Sequence, residues 1–339
     1  MDIRAFRSLR QLGALGALYA AMAAPCLGQV GFTITIDDPE GALSPWESQI
    51  ESNLQAAGAL WAAKLHGACT LWVHITPMAD AGTLDCRSFT WSYFETLDNA
   101  IDVFETGAST HIRNGFPASS FDPDIELRIS PLYLASELWM DPNPTERTEP
   151  VPANRIDGVS AFARELGYAL AFDGWINGET GSFPGNSRST FDRLIAFDGQ
   201  EFAFVGSSAT ASYQGPVPLT FGLPFHLGNQ SPRPGPVLLD DLMGGKPLQP
   251  GTRYNVSELD FAILRDARVP IAVPCPCDLT HDGFVDDADF GAFSLAYDFC
   301  DCTDPEMAAG CPADFTRDRM VDDSDYVIFV QGYEDFICP

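Results

Sequence analysis

The chain has 339 residues, 45% of them apolar, and a formal net charge of −28. That is enough for one large domain with its own core and a second, smaller one. The acidic balance excludes nucleic acid and anionic membrane as natural partners and suits an exported or cation-binding protein.

Residues 1–28 read as a signal peptide. Arg4, Arg7 and Arg10 form a basic start, Gln11 to Ala24 an apolar stretch too short to span a bilayer, and cleavage is expected after about Gly28. No later stretch is long and apolar enough to span a membrane, so the protein is expected to be secreted. Of nine cysteines, Cys26 leaves with the signal, and the remaining eight imply disulfides in an oxidising compartment. Cys69 and Cys86 stand alone in the large domain and are expected to pair.

The large domain is expected over residues 29–270. Phe32 to Ile36 alternates like a strand. Ser44-Pro45-Trp46-Glu47 reads as a capping box opening a helix that buries Ile50, Leu54, Ala57 and Trp61 and stops near Gly67. Thr70 to Thr76 and Asp124 to Ser130 read as strands, and Pro142 to Pro152 as a proline-rich loop. Arg155 to Trp175 carries Val159, Phe162, Leu166 and Leu170 at helical spacing. The Gly/Pro/Ser-rich stretch that follows reads as loops through about Gly251, and Ser257 to Asp260 caps a last helix bearing Leu259, Ile263 and Leu264. This order of elements predicts an α+β domain.

Within the central helix stands Arg164-Glu165-Leu166-Gly167-Tyr168. It resembles the zincin metallopeptidase helix His-Glu-Leu-Gly-His, with Arg164 and Tyr168 at the two histidine positions and Glu165 at that of the general base. Arginine has no free lone pair, and a phenol near pKa ~10 is a poor ligand, so zinc is not expected here. The resemblance, to a secreted bacterial family of zincin-like zinc metallopeptidases, extends to Glu137–Pro142, Ser189–Arg193, His226–Asn229, Asp241–Gly245 and Arg253-Tyr254. It implies a mixed domain around a degenerate active-site helix. Met243 takes a packing role beneath the site, the third-ligand position of one zincin class falls at Gly174, and His226 is the weak zinc candidate. The plainest reading of Arg164 and Glu165 is a salt bridge filling a vacated metal site. No nucleophile elbow, phosphate loop or Cys/His pair is present.

Residues 271–339 read as a second domain. A repeat with an offset of 36 residues runs through it, from Asp278 to Asp314, Val285 to Val321, Phe293 to Phe329 and Tyr297 to Tyr333. Each repeat carries a calcium-loop pattern. Asp278, Thr280, Asp282, Asp286 and Asp289 stand at loop positions 1, 3, 5, 9 and 12, with the Phe284 carbonyl at position 7. Asp314, Thr316, Asp318, Asp322 and Asp325 repeat them, with the Met320 carbonyl. Gly283 supplies the turn of the first loop; Arg319 replaces it in the second, so the second is expected to bind calcium more weakly. With the apolar helices that follow, the pair resembles type I dockerin repeats, a small all-α module, and this implies a cohesin-like protein partner. Repeat symmetry predicts the disulfides Cys275–Cys302 and Cys311–Cys338, leaving Cys277–Cys300.

Together these features predict a secreted protein with a non-catalytic metallopeptidase-like domain and a calcium-binding docking module. An active extracellular hydrolase, either an atypical metallopeptidase or part of a degradation system for polysaccharide or protein, is the alternative.

Overall fold

A computed structural model describes residues 30–78, 82–228, 238, 240–272, 276–280, 285–308, 311–316 and 318–335. The expected signal peptide lies outside the described residues, as do Asn229, Asp282, Gly283, Phe284, Cys275 and Cys338. The fold is α+β, as the order of elements predicts.

Strand β1 (Gly31–Ile36) leads into helix α1 (Glu47–Ala62) and then strand β2 (Thr70–Pro77). The expected capping box is not made. Residues Ser44–Trp46 form one 3-10 turn, and Ser44 Oγ bonds the Glu47 carboxylate at 3.3 Å. That leaves Trp46, which has no acceptor to offer, at the N-cap. Helix α1 stops at Ala62, short of Gly67.

Strands β3 (Cys86–Phe89), β4 (Ser92–Asp98) and β5 (Ile101–Thr106), helix α2 (Gly107–Asn114) and strand β6 (Ile125–Ile129) follow. The main sheet has the order β1-β2-β6-β3. Its first three strands are parallel, and β3 runs antiparallel at the edge. Leu71, Val73, Ile75, Ile125, Leu127 and Ile129 point from it into the core with no exposed surface. The sheet also separates two cysteines expected to pair. Cys86 stands opposite Ile129, which stands opposite Pro77, and Cys69 lies eight residues before Pro77. At ~3.3 Å per residue the two are ~26 Å apart, against a limit of ~7 Å for a disulfide. Both are buried free thiols.

Helix α3 (Pro131–Ser136), the paired strands β7 (Leu138–Trp139) and β8 (Ile156–Asp157), and helix α4 (Gly158–Leu170) complete the centre. Asp157 caps α4 by accepting from Ser160 N at 3.1 Å, and Arg147 holds the same carboxylate at 3.0 Å. The helix ends at Leu170 rather than Trp175. It packs on α1, where Trp61 Nε1 donates to the Ala163 carbonyl at 2.8 Å. Gly167 permits close approach beneath it, since a Cβ there would lie 2.7 Å from the Met243 sulfur and 2.9 Å from the Trp61 ring.

Residues read as loops contain a second sheet. After β9 (Ser187–Ser189) come β10 (Ile195–Phe197), β11 (Phe202–Phe204), helix α5 (Ser207–Tyr213), β12 (Val217–Thr220) and β13 (Leu223–Leu227). Strands β10 to β13 form an antiparallel meander in sequence order. Strands of three to five residues are too short to show a period, and Pro218 and Pro224 interrupt them. Helix α6 (Glu258–Asp266) opens on the Ser257–Asp260 capping box.

Helices α7 (Asp287–Phe299) and α8 (Asp323–Asp335) belong to a separate small core. Its members pair across the repeat as Cys277 with Ala313, Val285 with Val321 and Phe293 with Phe329. The last two rings stack at 4.9 Å. Tyr297 donates its hydroxyl to Asp323 at 2.6 Å, and Tyr333 to Asp287 at the same distance. The end of α7 thus lies at the start of α8, and the reverse. The disulfide follows this crossing. Cys302 bonds Cys311, which rules out Cys275–Cys302 and Cys311–Cys338, and Cys277 and Cys300 are free thiols. Cys302 N donates to the Arg319 carbonyl at 3.1 Å and Val321 N to the Cys300 carbonyl at 2.8 Å. Cys302 therefore lies on the second loop and meets the cysteine that opens that loop.

Candidate functional site

A cleft of about 850 Å³ runs between the edge strand β3 and helix α4. Arg164, Glu165 and Tyr168 line it from the helix, Cys86 to Phe89 from the strand, and His226 from β13. The degenerate motif and the one histidine singled out with it are thus brought together. The Tyr168 and His226 rings lie 5.2 Å apart.

Arg164 is the hub. Its Nε donates to the Tyr168 hydroxyl at 2.7 Å, one Nη to the Lys246 carbonyl at 2.8 Å and the other to the Gly244 carbonyl at 2.5 Å. A planar guanidinium can satisfy three acceptors in one fork, which an ammonium cannot do as rigidly. Glu165 does not take part. Neighbours in a helix point about 100° apart, and the Glu165 carboxylate instead accepts from Ser88 N at 2.7 Å and Ser88 Oγ at 3.1 Å. The expected Arg164–Glu165 salt bridge is replaced by a pin between α4 and β3.

Burial raises the Glu165 pKa to about 7, against the downward pull of the Ser88 bonds. Burial likewise holds the Tyr168 phenol up at about 12, although Arg164 pulls it down. His226 falls to about 4, first through burial and then through repulsion by Arg164, with a smaller upward pull from the Leu223 backbone. Its imidazole is neutral, and Nδ1 is buried with no well-aligned hydrogen-bond partner. The Cys86 thiol is pushed well up by burial, then by Glu165 and Asp85, so it is no nucleophile at neutral pH.

The residues of this cleft do not fit zinc. Arg164 brings a fixed positive charge and no lone pair, and the Tyr168 oxygen already accepts the Arg164 bond. Gly174 cannot supply another ligand, because any side chain there would collide with the Asp192 carboxylate. Met243 is fully buried under Gly167, the packing place expected for it.

Among the described residues, side-chain bonds of the first acidic loop recur in the second. Asp289 accepts from Thr280 N at 2.8 Å and Asp286 N at 2.9 Å; Asp325 accepts from Thr316 N at 2.9 Å and Asp322 N at 3.0 Å. Both carboxylates are fully buried. Asp286 caps α7 through Ala288 N, and Asp322 bonds Ser324 N in the same way, each at 2.8 Å. In the second loop Asp314 also accepts from Asp318 N at 3.1 Å and Arg319 N at 2.8 Å, and Asp318 from Met320 N at 2.9 Å. These carboxylates are turned onto the loop's own amides. Among the described residues, the group of three ligand atoms within 4.8 Å is Cys302, Cys311 and Asp314, and its two sulfurs are already bonded to each other. Arg319 has φ +75°, the left-handed conformation expected where the first loop has Gly283. The side-chain donors at the loop positions are hard oxygens, not the thiolate or imidazole that a soft metal takes.

Sequence reasoning missed Ser88 and the Lys246 carbonyl, and it noted Gly244 only as part of the Asp241–Gly245 segment, not as an acceptor for Arg164. Nothing local marks them, since each matters only through a partner about 80 residues away. No family model matches the chain, nor does any curated protein or solved structure.

Proposed function

We propose that the large domain is a non-catalytic, zincin-like binding module, carried on a secreted chain whose C-terminal pair of acidic loops is a calcium-dependent, dockerin-like docking module. The observation that carries the first half is the Arg164 fork. A permanent cation bonded to Tyr168 and to the Gly244 and Lys246 carbonyls repels any divalent ion, and the zincin resemblance sets it at a position of the metal-binding helix motif. One wall of the cleft is an antiparallel edge strand. An extended peptide is the ligand class suited to such a wall.

The second half rests on two equivalent loops of hard oxygen donors. Asp278, Thr280, Asp282, Asp286 and Asp289 would hold one ion with the Phe284 carbonyl. Asp314, Thr316, Asp318, Asp322 and Asp325 would hold another with the Met320 carbonyl. Calcium would offset the charge of a segment carrying 16 Asp and Glu against 2 Arg. Cohesin-like proteins are the partner class that the dockerin resemblance implies.

The hydrolase reading draws on one observation, a Glu165 carboxyl poised near neutral pH in the cleft. Metal analysis of the purified exported chain, paired with peptidase assays of wild type and Glu165→Gln, separates the two. The proposal expects no stoichiometric zinc and no cleavage. One zinc per chain, with activity lost in Glu165→Gln, would overturn it.

A further inference from the structure

The second acidic loop is held from outside by bonds that its own sequence does not supply. The segment after α7 pairs with it through Cys302 N to the Arg319 carbonyl and Val321 N to the Cys300 carbonyl. Cys311 opens the turn that presents Asp314, whose N–H donates to the Cys311 carbonyl at 3.1 Å. The Cys302–Cys311 disulfide joins these two sides, with the Cys302 sulfur 3.6 Å from Asp314 Oδ2. Asp314 in turn fixes the N–H groups of Asp318 and Arg319, and Arg319 is the residue held at φ +75°. A strained, non-glycine turn is thus clamped at its base by a covalent bond. Both cysteines are half-buried rather than enclosed, so a small thiol can reach them.

From this we infer that the Cys302–Cys311 disulfide is a redox latch on the second acidic loop, and that opening it frees the Asp314 turn and weakens that loop's hold on calcium. The calcium half rests on the function proposed above. In the opening step, one thiolate of a small dithiol attacks either sulfur and forms a mixed disulfide. The second thiol of the reductant then displaces the protein sulfur. The dithiol is oxidised to its cyclic disulfide, and Cys302 and Cys311 each leave as a thiol. The freed Cys302 S–H is a donor placed beside an Asp314 oxygen, where it competes with the cation for that oxygen.

The test uses the full exported chain, wild type against the double variant Cys302→Ser and Cys311→Ser. Amide hydrogen exchange is followed in chelator and calcium binding by calorimetry. Exchange at the Arg319 and Val321 amides should quicken about tenfold while Thr280 changes less than about twofold, and one of two calcium affinities should fall about fivefold. Reduction of folded wild type with dithiothreitol should quicken the same two amides, which covers the case of a variant that fails to fold. Unchanged exchange at Arg319 and Val321 overturns the latch, and so does an equal loss of both calcium affinities in the variant. If oxidised wild type takes up no calcium, the calcium reading falls by itself, and the exchange data still decide the latch.

Discussion

Arg164 Nε donates to the Tyr168 hydroxyl at 2.7 Å, one turn along the same helix. The two residues at the positions where the resembled zincin helix has histidines are therefore partners of each other. The rest of the guanidinium ties α4 to the Gly244 and Lys246 carbonyls. Arg164→Met should leave these acceptors unmatched and cost about 2–3 kcal/mol of unfolding free energy. Urea unfolding followed by tryptophan fluorescence reads it; a loss within error would mean that water satisfies the carbonyls equally well.

The same pair sets a gain-of-metal experiment. His226 already faces Tyr168 across 5.2 Å. The double change Arg164→His and Tyr168→His should create a zinc site with His226 as third ligand, and adding His226→Ala should remove it. Zinc content after dialysis is the measurement. A double variant that takes no zinc would place His226 outside ligand range or the helix outside zincin geometry.

Glu165 makes the protein more stable in acid than in base over a defined window. Its pKa rises from 4.5 to about 7 on folding, so between these values the native state holds the extra proton. This group's contribution is complete below about pH 4.5, falls as pH rises, and is lost above about 7, a change of up to about 3 kcal/mol. Glu165→Gln cannot ionise and keeps an acceptor for Ser88 N–H, so its stability should lack this slope. Parallel curves for the two proteins from pH 4.5 to 7.5 would refute the assignment.

In the small domain, Arg319→Gly should relieve the left-handed strain, roughly 1 kcal/mol, and raise the second loop's calcium affinity about fivefold. Asp278→Ala or Asp289→Ala should cost more calcium affinity in wild type than Asp314→Ala or Asp325→Ala, since the first loop has the glycine. Calorimetry decides both, and equal losses would remove the ranking.

Thiol counting tests the sulfur chemistry. Alkylation of the denatured, unreduced chain should label Cys69, Cys86, Cys277 and Cys300. The Cys302–Cys311 bridge carries a further expectation through the repeat: shifting each cysteine by 36 residues in opposite directions gives Cys338 and Cys275. Peptide mapping should find these two joined, and either one labelled would break the symmetry.

Some of this was written along the chain, because it depends on neighbours in sequence. The burial of Ile50, Leu54 and Trp61 and of Phe162 and Leu166 followed from spacing, and the equivalence of Val285 and Val321, both buried, from the repeat, since a regular helix or a repeated loop repeats its environment. The positive φ of Arg319 was legible for the same reason, as a residue standing in a glycine's place. What the tertiary structure alone decided involves partners far apart. Pro218 and Pro224 hid the meander that brings His226 to the cleft, and no local pattern tied Ser88 to Glu165 or Arg164 to the carbonyls that hold it. Symmetry in sequence suggested that equivalent cysteines make equivalent bridges along the chain. In space the end of α7 crosses to the second loop, so Cys302 pairs with Cys311 instead. A disulfide obeys distance between sulfurs, and here the bonds of Cys300 and Cys302 to the second loop bring the sulfurs together, not the order in which the cysteines occur.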